Sequence, residues 1–312
     1  TLNGEGAITH EAGSVYVDEN ATRRDAIDGT GVVLAAGEVD TTTPGTYTLT
    51  YDYTDTAGNA AAQVTRTVTV EDTTAPVITL NGDEVVTHEG GDPYYDDNAT
   101  WTDIVDGTDT IIPEGDVNVM VPGTYTLNFN YTDTAGNEAL EVNRTVEVLD
   151  TIAPVITLNG EGAITHEAGS VYVDENATRT DAIDGSGVVL AAGEVDTSVP
   201  GTYTLTYDYT DAAGNAAAQV TRTVTVEDTT APVITLNGDE VVTHEGGDPY
   251  YDDNATWTDI VDGTDTIIPE GNVNVMVPGT YTLNFNYTDT AGNEALEVNR
   301  TVEVVDTIAP VI

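Results

Sequence analysis

The sequence predicts an all-β chain of small β-sandwich domains strung in tandem, and three observations carry that prediction. The first is a repeat: TLNG begins at Thr1, Thr79, Thr157 and Thr235, a period of 78 residues that accounts for the whole chain. Solenoid turns run roughly 20 to 50 residues, so this period fits one small independently folded domain. The second is strict alternation over Thr124 to Thr132. Tyr125, Leu127, Phe129 and Tyr131 share one face, and Thr124, Thr126, Asn128, Asn130 and Thr132 share the other. That is the signature of a half-buried strand. The third is that no window shows a helical period, while turn signals recur about every 8 to 12 residues, as in β-sandwiches.

The second repeat shows the elements in order. The polar stretch from Asp72 leads to Pro76, which biases the residue before it away from helix, so the segment reads as an interdomain joint. Residues 76–80 form a short β-branched strand, and Asn81-Gly82 turns the chain. A second strand spans 85–88 and is broken by Gly90-Gly91-Asp92-Pro93. A third spans 98–104 and ends at Asp106-Gly107. Weaker strands are expected at 110–112 and 117–121, on either side of a Pro113 to Gly115 breaker. Pro122-Gly123 then starts the alternating strand, the DTAGN turn at 133–137 follows, and 140–148 closes the unit with Val142, Val146 and Val148 in phase.

The units are of two kinds. Repeats one and three differ at about five positions, such as Arg24 against Thr180. Repeats two and four differ only at Asp116 against Asn272 and Leu149 against Val305. Trp101 and Trp257 occur only in the second kind. The repeating block is therefore a pair of domains. Near-identical copies suggest that length itself is the useful property.

Composition limits what can reinforce such small cores. Without cysteine there are no disulfides. All seven basic residues are Arg, so a Lys–Asn isopeptide link is impossible. The formal net charge is −48, with 55 acidic residues against 7 basic ones. Such self-repulsion opposes compaction unless cations neutralise it, which points to metal ions. It also argues against nucleic acid and anionic membrane surfaces as partners. No apolar run approaches the roughly 20 residues of a membrane span, so no membrane insertion is expected in this segment. The chain opens and closes in mid-motif and reads as a window on a longer array.

The ordered set DTTAPVITLNG, VYVDENAT or PYYDDNAT, IDG or VDG, PGTYTL, YTDTAGN and RTVTVED resembles the Ig-like repeats of bacterial surface proteins, close in pattern to hyalin-type repeats. The resemblance covers all four repeats. It implies tandem Ig-like β-sandwich domains in a linear array, in secreted or cell-surface proteins that serve as spacers or adhesive stalks. It also implies calcium at domain joints, as in related tandem arrays. On this reading the domains are 1–72 (first kind, lacking half of its first strand), 73–150 (second kind), 151–228 (first kind), 229–306 (second kind) and a fresh start at 307–312.

Hard cations take six to eight oxygen ligands, mostly carboxylates and carbonyls. Three acidic places are expected at each joint. The closing strand delivers Asp72. The DAIDG loop of the preceding unit, with Asp25 and Asp28, is placed at the same pole by counting strand reversals. The DTAGN turn of the following unit adds Asp133. The candidate calcium ligands over all repeats are Asp25, Asp28, Asp55, Asp72, Asp103, Asp106, Asp133, Asp150, Asp181, Asp184, Asp211, Asp228, Asp259, Asp262 and Asp289. The competing reading is that Asp28-Gly29 and Asp55 to Asn59 are hairpin turns, which favour Asp, Asn and Gly in any case. The Asp18 to Asn20 and Asp96 to Asn98 stretches read chiefly as turn and strand-cap chemistry.

Other residues read as structural. His10, His88, His166 and His244 stand one per unit beside a single Glu, and adjacent strand residues face opposite ways, so a convergent transition-metal site is not expected. Arg66, Arg144, Arg222 and Arg300 fall in phase with inward valines and need a carboxylate or aromatic partner. With no Cys, no Lys and Ser only at Ser14, Ser170, Ser186 and Ser198, a nucleophilic catalytic site is unsupported, and no enzyme activity is expected. Asn-x-Thr sequons at Asn20, Asn98, Asn130 and Asn143 owe much to the abundance of Thr.

The expected function is thus a spacer, stalk or fibre segment of a large extracellular surface protein, a rod stiffened by calcium at its joints. Two alternatives stand beside it. Adhesin repeats could bind carbohydrate or a host protein, with Trp101 and Trp257 stacking on sugar rings beside Tyr94 and Tyr95 if exposed. A self-assembling filament could form through contacts with other copies of the chain.

Overall fold

A computed structural model describes residues 1–311 and contains strands, turns and no helix among them. Two compact units emerge, Thr1–Thr151 and Ile152–Ile312.

The first unit holds eleven strands: β1 (Ala7–Glu11), β2 (Ala21–Asp25), β3 (Gly29–Val33), β4 (Gly45–Tyr51), β5 (Val64–Glu71), β6 (Val77–Leu80), β7 (Val85–Glu89), β8 (Ala99–Asp103), β9 (Gly107–Ile111), β10 (Gly123–Phe129) and β11 (Val142–Leu149). The second holds twelve: β12 (Val155–Leu158), β13 (Ala163–Glu167), β14 (Ala177–Asp181), β15 (Gly185–Val189), β16 (Gly201–Tyr207), β17 (Val220–Glu227), β18 (Val233–Leu236), β19 (Val241–Glu245), β20 (Ala255–Asp259), β21 (Gly263–Ile267), β22 (Gly279–Phe285) and β23 (Val298–Val305).

Repeat two shows the design. One sheet runs β6-β8-β9, all antiparallel. The other runs β10-β11-β7, with β10 and β11 antiparallel and β7 parallel to β11. Ile78, Ala99 and Trp101 from the first sheet meet Leu127, Phe129, Val146 and Val148 from the second in one core. Alternation fixes which side chains enter it: along β10, Leu127 and Phe129 are buried while Asn128 between them is only half-buried. In repeat one the first sheet is the β2-β3 pair, extended by an isolated bridge between Leu2 and Ala21.

Two strand expectations are corrected. Residues 117–121 form no strand. Glu114 makes an isolated bridge to Asn128, and Val121 N donates to Asn118 O in a turn. The strand expected at 110–112 starts earlier, at Gly107, because its register is set by the hairpin from Asp103.

Candidate metal centre

The strongest concentration of functional chemistry lies where one repeat hands over to the next inside each compact unit. In the first unit, Asp72, Asp103 and Asp133 each bring a carboxylate oxygen within 4.8 Å of the other two. Asp72 follows directly from β5, Asp103 ends β8, and Asp133 opens the DTAGN turn after β10. In the second unit Asp228, Asp259 and Asp289 repeat the cluster.

Local bonding uses four of these six carboxylate oxygens and leaves two. Asp103 Oδ1 accepts from Val105 N at 2.7 Å and Asp106 N at 2.9 Å, shaping its own hairpin. Asp133 Oδ1 accepts from Gly136 N and Asn137 N, both at 2.7 Å, and its Oδ2 from Asn137 Nδ2 at 2.8 Å. Asn137 Nδ2 also donates to the Asp72 carbonyl at 3.1 Å, tying the turn of one repeat to the end of the previous one. Asp72 is 8% exposed, and its Oδ2, like Asp103 Oδ2, is buried with no hydrogen-bond partner. Asp228 Oδ2 and Asp259 Oδ2 are in the same condition. Buried polar atoms are nearly always satisfied, so orphaned carboxylate oxygens call for an explanation. Their chemistry, hard anionic oxygens converging from three turns, fits a hard divalent cation. These clusters are groups that could hold a metal.

The electrostatics agree with the geometry. Burial holds the Asp72 carboxyl above the usual carboxylate range, and the Asp103 and Asp133 charges push the same way. Asp228 is raised likewise, by burial and then by Asp259 and Asp289. Burial also acts to raise Asp133, but the bonds it accepts from Asn137 and the turn amides outweigh it and leave the carboxyl lowered.

The other acidic candidates are placed differently. Asp28 does not reach the Asp72 end. Its oxygens accept from Thr56 N and Oγ1, both at 2.8 Å, latching two turns of the same repeat together. Asp106 does this with Thr134, Asp262 with Thr290, and Asp184 takes the amide of Ala212. Asp25 caps its own turn through Ile27 N and Asp28 N, and Asp55 closes its turn on Asn59; both line a hollow beside Thr1 and Tyr53. The acidic hairpin that meets Asp72 thus belongs to the following repeat, not the preceding one. Strand reversals miscounted it because β1 runs parallel to β5 and no strand fills the segment before β4. Asp150 ends the last strand-to-linker step of the first unit, while Asp181 and Asp211 occupy in the second unit the hairpin and turn positions of Asp103 and Asp133.

Glu11 was not singled out from sequence, yet it holds the linker. It ends β1 opposite Glu71 and accepts from Thr73 N at 3.0 Å, Thr73 Oγ1 at 2.5 Å and Thr74 Oγ1 at 2.7 Å. These bonds lower its pKa, the Thr73 hydroxyl most. Glu89 holds Thr151 in the same way, and Glu167 holds Thr229 and Thr230. The only sequence signal is a Glu at a strand end matched by a Thr just past the closing strand.

The histidines are structural. His10 and Ser14 share a hydrogen bond at 2.9 Å, and the ring lies edge-on to Tyr16. Arg66 finds both expected kinds of partner. Its Nη1 pairs with Asp18 at 2.5 Å, its Nε donates to Glu5 O, its Nη2 donates to Asn3 O, and its guanidinium sits 5.8 Å from the Tyr51 ring centre. Asp18 also accepts from the hydroxyls of Tyr16 and Tyr51 and from Asn20 N. Asn20 lies in the left-handed region at φ 63°, where Asn is among the best-tolerated non-Gly residues. Asp18 of the VYVDEN stretch is therefore the carboxylate that pairs with the buried Arg66. Trp101 is 8% exposed and stacks on Tyr131 at 4.0 Å and 13°, so it is a core residue unavailable to a sugar ring.

Taken together, the chain is a tandem array of small β-sandwiches with acidic stations at repeat ends. Its residues 1–70, 78–148, 156–226 and 234–304 each match the Ig-like domain of bacterial surface proteins, and the chain belongs to that family. Among curated proteins it is 30% identical over 341 aligned positions to hyalin of Strongylocentrotus purpuratus, covering 99% of this chain and 28% of the relative. It is 30% identical over 294 positions to hyalin of Lytechinus variegatus, covering 85% of this chain and 53% of the relative. The chain thus spans about half or less of the length of these relatives. Among solved structures, a protocadherin gammaB7 EC3-6 cis-dimer aligns with a TM-score of 0.35 and 12% identity over 96% of this chain and 99% of that one.

Proposed function

We propose that this chain is a non-catalytic spacer or stalk segment of a large extracellular surface protein, whose successive repeats are clamped by calcium. Membership in a surface-protein family supports the location, and two near-identical pairs of sandwiches support length as the selected property. The observation that carries the calcium reading is the pair of buried carboxylate oxygens without partners, on Asp72 and Asp103, converging with Asp133. These residues, and Asp228, Asp259 and Asp289, would hold the ion. Asn137 Nδ2 donates to the Asp72 carbonyl next to these carboxylates, and water would complete the six to eight oxygens that calcium takes. Bound calcium neutralises carboxylates that otherwise repel one another across the joint.

The test uses the full chain stripped with chelator and then titrated with calcium, read by calorimetry and by melting temperature. Calcium binding and a raised melting temperature are expected, and both are weakened in the double variant Asp72→Asn, Asp228→Asn. A melting temperature indifferent to calcium and chelator overturns the calcium part of the proposal.

A further inference from the structure

The hairpin that brings Asp103 to the cluster also carries Ile104 and Val105, and these two side chains go to the neighbouring repeat. Val105 packs against the core cluster of repeat one, which is built on Ala12, Leu49, Tyr51, Val68 and Val70. Ile104 lies over the backbone of Gly13, so close that a Cβ on Gly13 would stand 2.3 Å from Ile104 Cγ1. Gly13 has φ +71°, a conformation that also favours glycine, so this contact is built on two requirements that only glycine meets together. Asp103 presents the pair by accepting the Val105 amide. The second unit repeats every part: Val261 packs on the core of repeat three, Ile260 lies 2.5 Å from where a Gly169 Cβ would be, and Asp259 accepts from Val261 N.

The donation runs one way. The core of repeat two, with the partly buried apolar residues packed on it, takes no residue from repeat one among the described residues. The core of repeat four likewise takes no residue from repeat three among the described residues. A small sandwich has little apolar area to spare, so a residue contributed from outside is a large share of its packing.

We infer that Val105 and Val261 are core residues of the repeat that precedes them, so that repeat one depends for its stability on repeat two, and repeat three on repeat four, without the reverse dependence. The coupling is apolar and stands apart from the cation reading, so it is tested in chelator.

The experiment is hydrogen exchange with mass spectrometry on the full chain carrying Val105→Asp, with Val105→Thr as a near-isosteric second variant should the charged one fail to fold. Repeat one is distinguished from repeat three by Arg24 and Thr30 against Thr180 and Ser186, and β11 by Leu149 against Val305. Exchange across 21–33 is expected to quicken at least tenfold, while the matching peptide of repeat three and β11 of repeat two keep their wild-type rates. Unchanged exchange in repeat one overturns the inference. So does equal loosening of β11, which would mean that Val105 serves its own repeat.

Discussion

Asp18 reaches across 48 residues of sequence to pair with Arg66 at 2.5 Å, and the two side chains are 13% and 2% exposed. The same pair recurs as Asp96–Arg144, Asp174–Arg222 and Asp252–Arg300. It joins the segment before β2 to the middle of β5, across the interior of the sandwich. Removing one partner of a buried pair strands the other charge, at a cost of about 3 to 5 kcal/mol. Asp18→Asn is therefore expected to unfold repeat one separately and well before the rest in a calorimetric melt. A single unshifted transition would contradict this role. Burial alone would raise the Asp18 carboxyl, but the hydroxyls of Tyr51 and Tyr16, the Asn20 amide and Arg66 bring it below the ordinary range. The pair's contribution is thus present above the unfolded carboxylate pKa and lost as pH falls through the lowered value.

Trp101 and Tyr131 occupy a position where the other kind of repeat places Arg23 over Tyr53, 4.3 Å from the ring centre. Both are flat groups on a tyrosine face, and only the indole enters the core. Deleting a buried aromatic costs about 3 to 5 kcal/mol, so Trp101→Ala should unfold repeat two early while repeat four, with Trp257, melts as before. Acrylamide, a neutral quencher not repelled by the acidic surface, should quench native tryptophan fluorescence poorly. Efficient quenching would return these rings to the surface and reopen a sugar-stacking role.

How much of this was legible in sequence depends on the kind of signal. Tyr125, Leu127 and Phe129 announced β10, because alternation on a half-buried face leaves a direct trace in composition. The partner class of Arg66 was legible too, since a basic residue in phase with inward valines must be paired. Which carboxylate pairs with it was not, because Asp18 lies far away in sequence. The pole of the Asp25–Asp28 hairpin was misjudged for a related reason. β7 is parallel to β11, and nothing local distinguishes a parallel edge strand from an antiparallel one. Glu11 and Val105 were missed because each acts on a residue outside its own element, and their types are ordinary for exposed strand ends and turns.

The Glu11 tether predicts a local change without global unfolding. Its folded pKa is depressed, so the tether is intact above the ordinary glutamate range and fails as pH falls through the lowered value. Glu11→Gln leaves one acceptor oxygen where the linker uses two. Exchange of the Thr73 amide should quicken several-fold, with β5 protection unchanged. An unaltered Thr73 rate would mean that the linker is held by something else.

Asp72 gives the opposite pH sign to Asp18 and Glu11. Its folded pKa is raised, first by burial and then by Asp103 and Asp133, so the cation-free joint favours the protonated acid. As pH rises from the ordinary carboxylate range through the raised value, ionisation of this buried group subtracts stability. Calcium needs the ionised form, so its stabilising effect grows across that same window. Melting curves collected in chelator should therefore fall as pH rises there, and curves in calcium should stay level or rise. The Asp18 effect lies at lower pH and does not overlap, because its pKa moves the other way. The double variant Asp72→Asn, Asp228→Asn should flatten both sets of curves and bring them together. Curves in chelator and calcium that run parallel through the window would show that Asp72 is not the group that links protons to the cation.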